Sequence, residues 1–355
     1  MMGKGEHKQD IRKLSRDQLI SQFTELGEKP FRAKQVYEWI WKKSATDFDE
    51  MTNLSLGLRT LLKNQYLINK VIVADKQISA DRTIKSGFKL FDENIVEGVL
   101  IPTKKRMTAC ISSQVGCSLS CKFCATGYLE RNRNLEAGEI YDQVVLINEQ
   151  AEQNYGIPLS NVVLMGMGEP LLNYANVLKG IDRIISPDGL NMSSKRITLS
   201  TAGIAKMIKK LADDRVKFNL ALSLHAADDE KRNTIMPINE TNSLEALKEA
   251  LLYFYSNTKN QITLEYIAFK DFNVGIDDAR NLARFANNIP CKINIIEYNP
   301  IDQANFGRAD ANELSLFIKF LEKKGLIINV RRSRGKDIDA ACGQLANKSA
   351  KVDDN

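Results

Sequence analysis

The sequence lacks any run approaching the roughly 18 uncharged apolar residues of a membrane span. Its first ten residues, MMGKGEHKQD, are polar and charged. They offer neither the apolar core of a signal peptide nor the Ser or Thr of a myristoylation signal, so a cytoplasmic address is expected. Cysteine is scarce: six in 355 residues, too few and too dispersed for the disulfide framework of a small secreted domain. The net charge of +6 permits a nucleic-acid partner without demanding one. Internal repeats and low-complexity tracts are absent. What remains is an ordinary globular composition, 43% hydrophobic and 26% charged, of a length suited to about two domains.

Residues 1 to about 75 read as a helical unit. LSRDQLISQFTELG offers Ser15 as a cap and Gly27 as a stop. FRAKQVYEWIWKK and NLSLGLRTLLKNQY repeat the helical spacing of apolar residues, which core packing explains. Residues 76–101 read as a short strand-rich linker. Beyond Pro102 the rhythm changes: seven short β-branched runs, from MTACISS (107–113) to LIINVRR (326–332), alternate with helix-length segments. Strands separated by crossover helices predict a parallel α/β sheet, and seven suit an open or closed barrel over 102–346 better than two separate domains, with a tail at 347–355. In such barrels the chemistry sits in loops at strand C-terminal ends. The unusual residues of this chain follow the runs in that way: cysteines, then GMGEP, STAG, SLH and Asn299-Pro300.

CSLSCKFC packs Cys117, Cys121 and Cys124 into eight positions. A closed zinc site wants four ligands, usually from two knuckles, yet there is no second CxxC and the only histidines are His7 and His225. A plain electron-transfer cluster would also want four cysteines. Three thiolates on a four-iron cluster leave one iron open to a substrate or cofactor. The loop therefore reads as catalytic.

The spacing CxxxCxxC resembles the signature of the radical S-adenosylmethionine (SAM) enzymes, and Phe123 matches the aromatic that packs near the SAM adenine. The wider set ACISSQVGCSLSCKFCATG, VVLMGMGEPLLNY, RITLSTAG, ALSLHA, MPINE, KINIIEYNP and RGKDIDAACGQL, in order across residues 97–346, resembles the RlmN/Cfr RNA methyltransferases, and the RlmN side of that family more closely. The resemblance implies a radical SAM partial (β/α)6-type parallel barrel behind a small N-terminal helical domain that adds RNA-binding surface. It implies one 4Fe-4S cluster on Cys117, Cys121 and Cys124, with SAM on the fourth iron. Gly168 and Glu169 would contact the SAM methionine moiety; Ser200, Ser223, Leu224, His225 and Asn299 would make further SAM contacts. Taken singly, each of these also reads as a turn residue.

The implied reaction is methylation of an adenine in 23S ribosomal RNA, with transfer RNA as a second candidate substrate and flavodoxin or ferredoxin as the kind of electron donor required. Carbon 2 of adenine is electron-poor and cannot attack a methyl sulfonium, whereas a carbon radical can add to it. By resemblance, Cys342 takes a methyl from one SAM, and a deoxyadenosyl radical from a second SAM abstracts a hydrogen from it. The methylene radical adds to the base, Glu97 accepts the ring proton, and Cys110 attacks the Cys342 sulfur to leave a transient disulfide. Without the resemblance, Cys110 reads as a small buried strand residue, Cys342 as tight helix packing, Glu97 as an outward-facing edge residue and Cys291 as core.

Basic residues cluster at Lys104-Lys105-Arg106, Arg131/Arg133, Lys195-Arg196 and 331–336, the last close before Cys342. Charge runs usually mean solvation, but phosphate contacts there would position RNA. Two other readings stay open: Cfr-type methylation at carbon 8, which GEP in place of GEA disfavours, and a metal-stabilised RNA-binding protein without turnover.

Overall fold

A computed structural model describes residues 8–348. His7 and positions 349–355 of the expected tail lie outside the described residues. Three helices open the chain: α1 (Arg16–Glu25), α2 (Pro30–Trp41) and α3 (Leu56–Gln65). Ser15 caps α1 as expected, its hydroxyl accepting from the Gln18 N–H while the Gln18 side chain returns to the Ser15 N–H. This unit rests on the long helix α4 (Ala137–Tyr155). Trp41 meets Tyr141 edge-on at 5.2 Å, and the Arg12 guanidinium grips Asp142 at 2.8 and 2.9 Å.

Ten strands form one sheet: β1 (Ile72–Ile78), β2 (Ile84–Lys89), β3 (Ile95–Pro102), β4 (Met107–Cys110), β5 (Asn161–Leu164), β6 (Ile197–Thr201), β7 (Asn219–Ser223), β8 (Ile262–Ala268), β9 (Cys291–Glu297) and β10 (Ile327–Arg331). Their spatial order is their chain order. β1 to β4 are antiparallel neighbours, and every pairing from β4 to β10 is parallel. All seven strands expected beyond Pro102 are present, and the stretch expected as a linker over 76–101 runs as strands of the same sheet. Antiparallel strands need only tight turns, whereas each parallel step needs a crossover. These are α4, α5 (Tyr174–Ile185), α6 (Ala205–Asp213), α7 (Asp229–Ile235) with α8 (Leu244–Thr258), α9 (Ile276–Ala286) and α10 (Ala311–Lys323). Helices on the sheet explain why β8 is buried at every position, its polar Thr263 and Glu265 included. Among the described residues no helix is long and apolar enough to cross a membrane.

One contact shows that the sheet curls. The Gly335 N–H donates to Asp81, in the β1–β2 turn, at 3.0 Å. Gly335 lies four residues past the end of β10, a reach of at most ~14 Å. In a flat sheet eight strand spacings would separate β10 from β2 by roughly 38 Å. The sheet must bend round, and residues 334–348 cross its opening as a strap.

Candidate active site

The three-cysteine loop follows β4 and is shaped by its own backbone. The Cys124 N–H donates to the Cys121 carbonyl (3.1 Å), and the Gly127 N–H to that of Cys124 (2.9 Å). A side chain at Gly127 would meet the Cys121 carbonyl at 2.8 Å. An apolar shell that includes Phe123, Ile235, Met236, Phe269 and Tyr298 encloses the loop. Burial pushes Cys117 up to about 11 and raises Cys121 and Cys124 too; at Cys121 the two neighbouring thiols add to the effect. Bound iron would offset both penalties. The donor set fits the cluster that this sequence signature implies. Among the described residues no three Cys, His, Asp or Glu side chains gather round a single ion, and thiolates that each hold a different iron of one cluster need not do so.

GMGEP follows β5 and lies backbone to backbone on residues 111–114. Gly168 has φ +91°, and a Cβ there would stand 2.4 Å from that of Gln114. Gln114 accepts from the Glu169 N–H at 2.8 Å. Glu169 is buried, its carboxylate accepting from the N–H groups of Leu171 (3.0 Å) and Ala202 (2.8 Å). Burial raises its pKa although these bonds oppose the rise. Gly168→Ala is expected to lower the unfolding free energy by roughly 2–4 kcal/mol, since a strained backbone and an overlap are combined. Gly57, with nothing near its missing Cβ, is the control: its change to Ala inside α3 should be neutral or stabilising in the same thermal melt.

Ser200, Ser223 with Leu224 and His225, and Asn299 stand at the C-terminal ends of β6, β7 and β9. His225 is buried at φ +57°, and its Nδ1 accepts from the Ile267 N–H at 3.1 Å. The ring is therefore neutral with its hydrogen on Nε2, and burial lowers its pKa to about 3. Phe123 meets it edge-on at 4.7 Å. Asn299 donates through Nδ2 to the Cys342 carbonyl at 3.2 Å. Its Oδ1 is buried and has no partner among the described residues, a free acceptor of the kind a nucleoside cofactor would satisfy.

Cys342 rides on the strap, and the strap is bonded directly to the loop of three cysteines. The Ala125 N–H donates to the Gly343 carbonyl (2.7 Å), the Thr126 hydroxyl to that of Leu345 (2.7 Å), and the Gln344 amide to that of Pro300 (3.0 Å). Cys342 is exposed, yet desolvation raises its thiol to about 11. Both hold if it lies on the floor of an open concavity, walled by protein and reached from outside. Cys110, the last residue of β4, is buried; burial first, then the nearby Cys342, pushes it up to about 12. Two thiols 232 positions apart in sequence are thus within electrostatic reach.

Glu97, on β3, is buried to 1%. Its Oε2 accepts from the Ala346 and Asn347 N–H groups at 2.8 and 3.0 Å, and Lys85 Nζ stands 3.4 Å from Oε1. Lys85 is at ion-pair distance but out of line for a hydrogen bond, so Oε1 has no hydrogen-bond partner among the described residues. Two further residues drew no attention in the sequence. Buried Arg232 donates to the carbonyls of Ala202, Ser223 and Leu224, fixing the ends of β6 and β7. Lys85 is the other.

The basic clusters divide by strand direction. Residues 104–106 precede β4 and 195–196 precede β6, at the opposite end of the strands from the cysteines. Arg133 is bound to Asp92 and Glu139. Arg131, Arg332 and Arg334 remain at the site's end, beside Arg331, which pairs with Glu265, and Lys336, which pairs with Glu297.

Comparison with known proteins agrees with this geometry. Residues 9–68 match the family described as the ribosomal RNA large subunit methyltransferase N-terminal domain, and residues 111–286 match the radical SAM superfamily. A relative in Cytophaga hutchinsonii, described as "probable dual-specificity RNA methyltransferase RlmN", is 64% identical over 97% of this chain and 94% of its own length. The dual-specificity RNA methyltransferase RlmN of Nautilia profundicola is 39% identical over 95% of this chain and 98% of its own. The crystal structure of a radical SAM methyltransferase from Sphaerobacter thermophilus superposes with a TM-score of 0.89 at 35% identity, covering 95% of this chain and 99% of that one. A strap seated on a three-cysteine loop at the mouth of a parallel barrel, together with identity along nearly the whole length, places this chain in the RlmN family of radical SAM RNA methyltransferases.

Proposed function

We propose that this chain methylates carbon 2 of an adenine in 23S ribosomal RNA, and of an adenine in transfer RNA, with Cys342 as carbon carrier and Cys110 as resolving thiol. Two SAM molecules are used per turnover. The observation that carries the reading is the seating of Cys342: its neighbour Gly343 accepts from Ala125, the residue after Cys124, and its thiol is within electrostatic reach of Cys110.

Cys117, Cys121 and Cys124 would hold the cluster, with SAM on the fourth iron beside Gly168, Glu169, Ser200, Ser223, Leu224, His225 and Asn299. When bound, these groups supply a methyl, one electron and a deoxyadenosyl radical. The residues do the rest. Desolvation by the walls around it raises the Cys342 thiol, and a positive sulfonium held beside it would favour the thiolate that attack requires. Adenine reaches the open floor once it leaves any stack, and Glu97 accepts its ring proton. Cys110 then attacks the Cys342 sulfur: the S–S bond forms as the S–C bond to the RNA breaks, the bond's electron pair stays on the released carbon, and that carbon takes up a proton to become the methyl group. A donor such as flavodoxin or ferredoxin serves the reductive steps, return of the disulfide to two thiols included. Residues 1–75 would add RNA-binding surface, and 76–101, as strands of the same sheet, lead from them into the barrel at 102–346.

Mass spectrometry of RNA nucleosides from cells with and without the gene tests this. We expect 2-methyladenosine to vanish from ribosomal and transfer RNA in its absence. Loss of 8-methyladenosine instead would transfer the reading to carbon 8, and no change would support a binding protein without turnover.

A further inference from the structure

β2 and β3 carry a buried lysine and a buried glutamate that face each other diagonally: Lys85 pairs with Val99 and Gly87 with Glu97 in the antiparallel register. Lys85 is 3% exposed. A lone charge at that depth is costly, and removing one member of a buried pair strands the other. The pair is not closed on itself. The remaining carboxylate oxygen accepts two consecutive backbone N–H groups, those of Ala346 and Asn347, and the Asn347 amide donates to the Ile95 carbonyl at 2.7 Å. Three residues lie between Cys342 and Ala346, so this is an anchor on the C-terminal side of that thiol, beyond the bonds that Gly343, Gln344 and Leu345 make with Ala125, Pro300 and Thr126. The same strand also sets the other thiol, because Val99 pairs with Cys110 on its far side. Glu97 and Val99 are about 7 Å apart along β3. One strand therefore carries both the strap anchor and the partner of Cys110.

We propose that Lys85 is a positioning residue: with Glu97 it clamps the strap to β3, and so fixes the Cys342 thiol relative to Cys110 and the three-cysteine loop. Its importance for turnover rests on the reading of Cys342 as carrier, but the clamp itself can be read without turnover. Lys85 removes the cost of a buried carboxylate, the carboxylate gathers two amides that would otherwise lack a partner, and the strap is seated. No bond is made or broken.

Hydrogen exchange, followed by mass spectrometry on the purified full-length protein without SAM or RNA, tests this. Lys85→Met is expected to speed exchange across residues 340–348 by about tenfold or more, and to leave peptides of β2, β3 and the GMGEP loop within about twofold. Lys85→Arg, which keeps the charge, should stay near the parent. Unchanged exchange in the strap of Lys85→Met overturns the proposal, as does acceleration spread evenly over β2 and β3, or an Arg variant as fast as the Met one. If Lys85→Met does not yield folded protein, Glu97→Asp decides. It keeps a charge beside Lys85 but falls a methylene short of the strap, so the same local acceleration is expected and its absence sinks the clamp. None of these measurements reads proton transfer. A Glu97 that proved not to take the adenine proton would leave the clamp standing.

Discussion

Cys110→Ala is expected to be isolated joined covalently to RNA through Cys342, with turnover reduced by roughly a thousandfold or more. Release of the base needs a second thiol within reach of the Cys342 sulfur, and Cys110 at the end of β4 lies within electrostatic reach of it. Cys117, Cys121 and Cys124 would be committed to iron. Cys291 opens β9, at the opposite end of the parallel strands. No other cysteine is left to substitute. Losing one sulfur from a buried strand position should cost about 1–2 kcal/mol, too little to unfold a protein of this size. The crosslink would be seen as a nuclease-sensitive shift in gel mobility, and after digestion as a nucleotide mass on the peptide containing Cys342. Recovery of unmodified protein and free RNA alone would remove the resolving role.

Cys342→Ala should abolish transfer, by a factor of about ten thousand or more, since no direct polar route to an electron-poor ring carbon remains. The strap should stay seated, because position 342 is held by its carbonyl through Asn299 and by its neighbours through Ala125 and Gln344. The loss would therefore be chemical. Nucleoside mass spectrometry should find no methylated adenine and peptide mapping no methyl on the strap, while thermal unfolding stays within a few degrees of the parent. Retained methylation would end the carrier hypothesis. A Cys110→Ala, Cys342→Ala double variant should show no crosslink, which separates the two roles.

The readable parts of this protein were local. CxxxCxxC needs only one loop, so its chemistry is written in eight consecutive residues. The strand runs were legible because strands buried under helices are rich in β-branched apolar residues, as in β9 with Ile293, Ile295 and Ile296. Arg232 left one faint signal. It stands three and four positions before Ile235 and Met236, on the apolar stripe of α7, where a charge is out of place. It was hidden by charged neighbours. Lys85 left no such mark, since a lysine inside a short strand reads as an exposed edge position. Among the basic clusters, sequence could not separate those before a strand from those after one by their distance to the site.

By itself the sequence determined the three-cysteine loop, the order of strands and crossovers, the glycine at 168 and the family. Each is carried by short motifs and runs of consecutive residues, whose order along the chain needs no tertiary contact to be read. Only the tertiary structure decided that Cys342 lies within electrostatic reach of Cys110, that Glu97 holds Ala346 and Asn347, and which basic residues lie at the site's end of the strands. Those relations span up to 250 positions. They exist because a ten-stranded sheet curls far enough for a short strap to cross its opening, a property of the summed twist and packing of all its strands that no single segment carries.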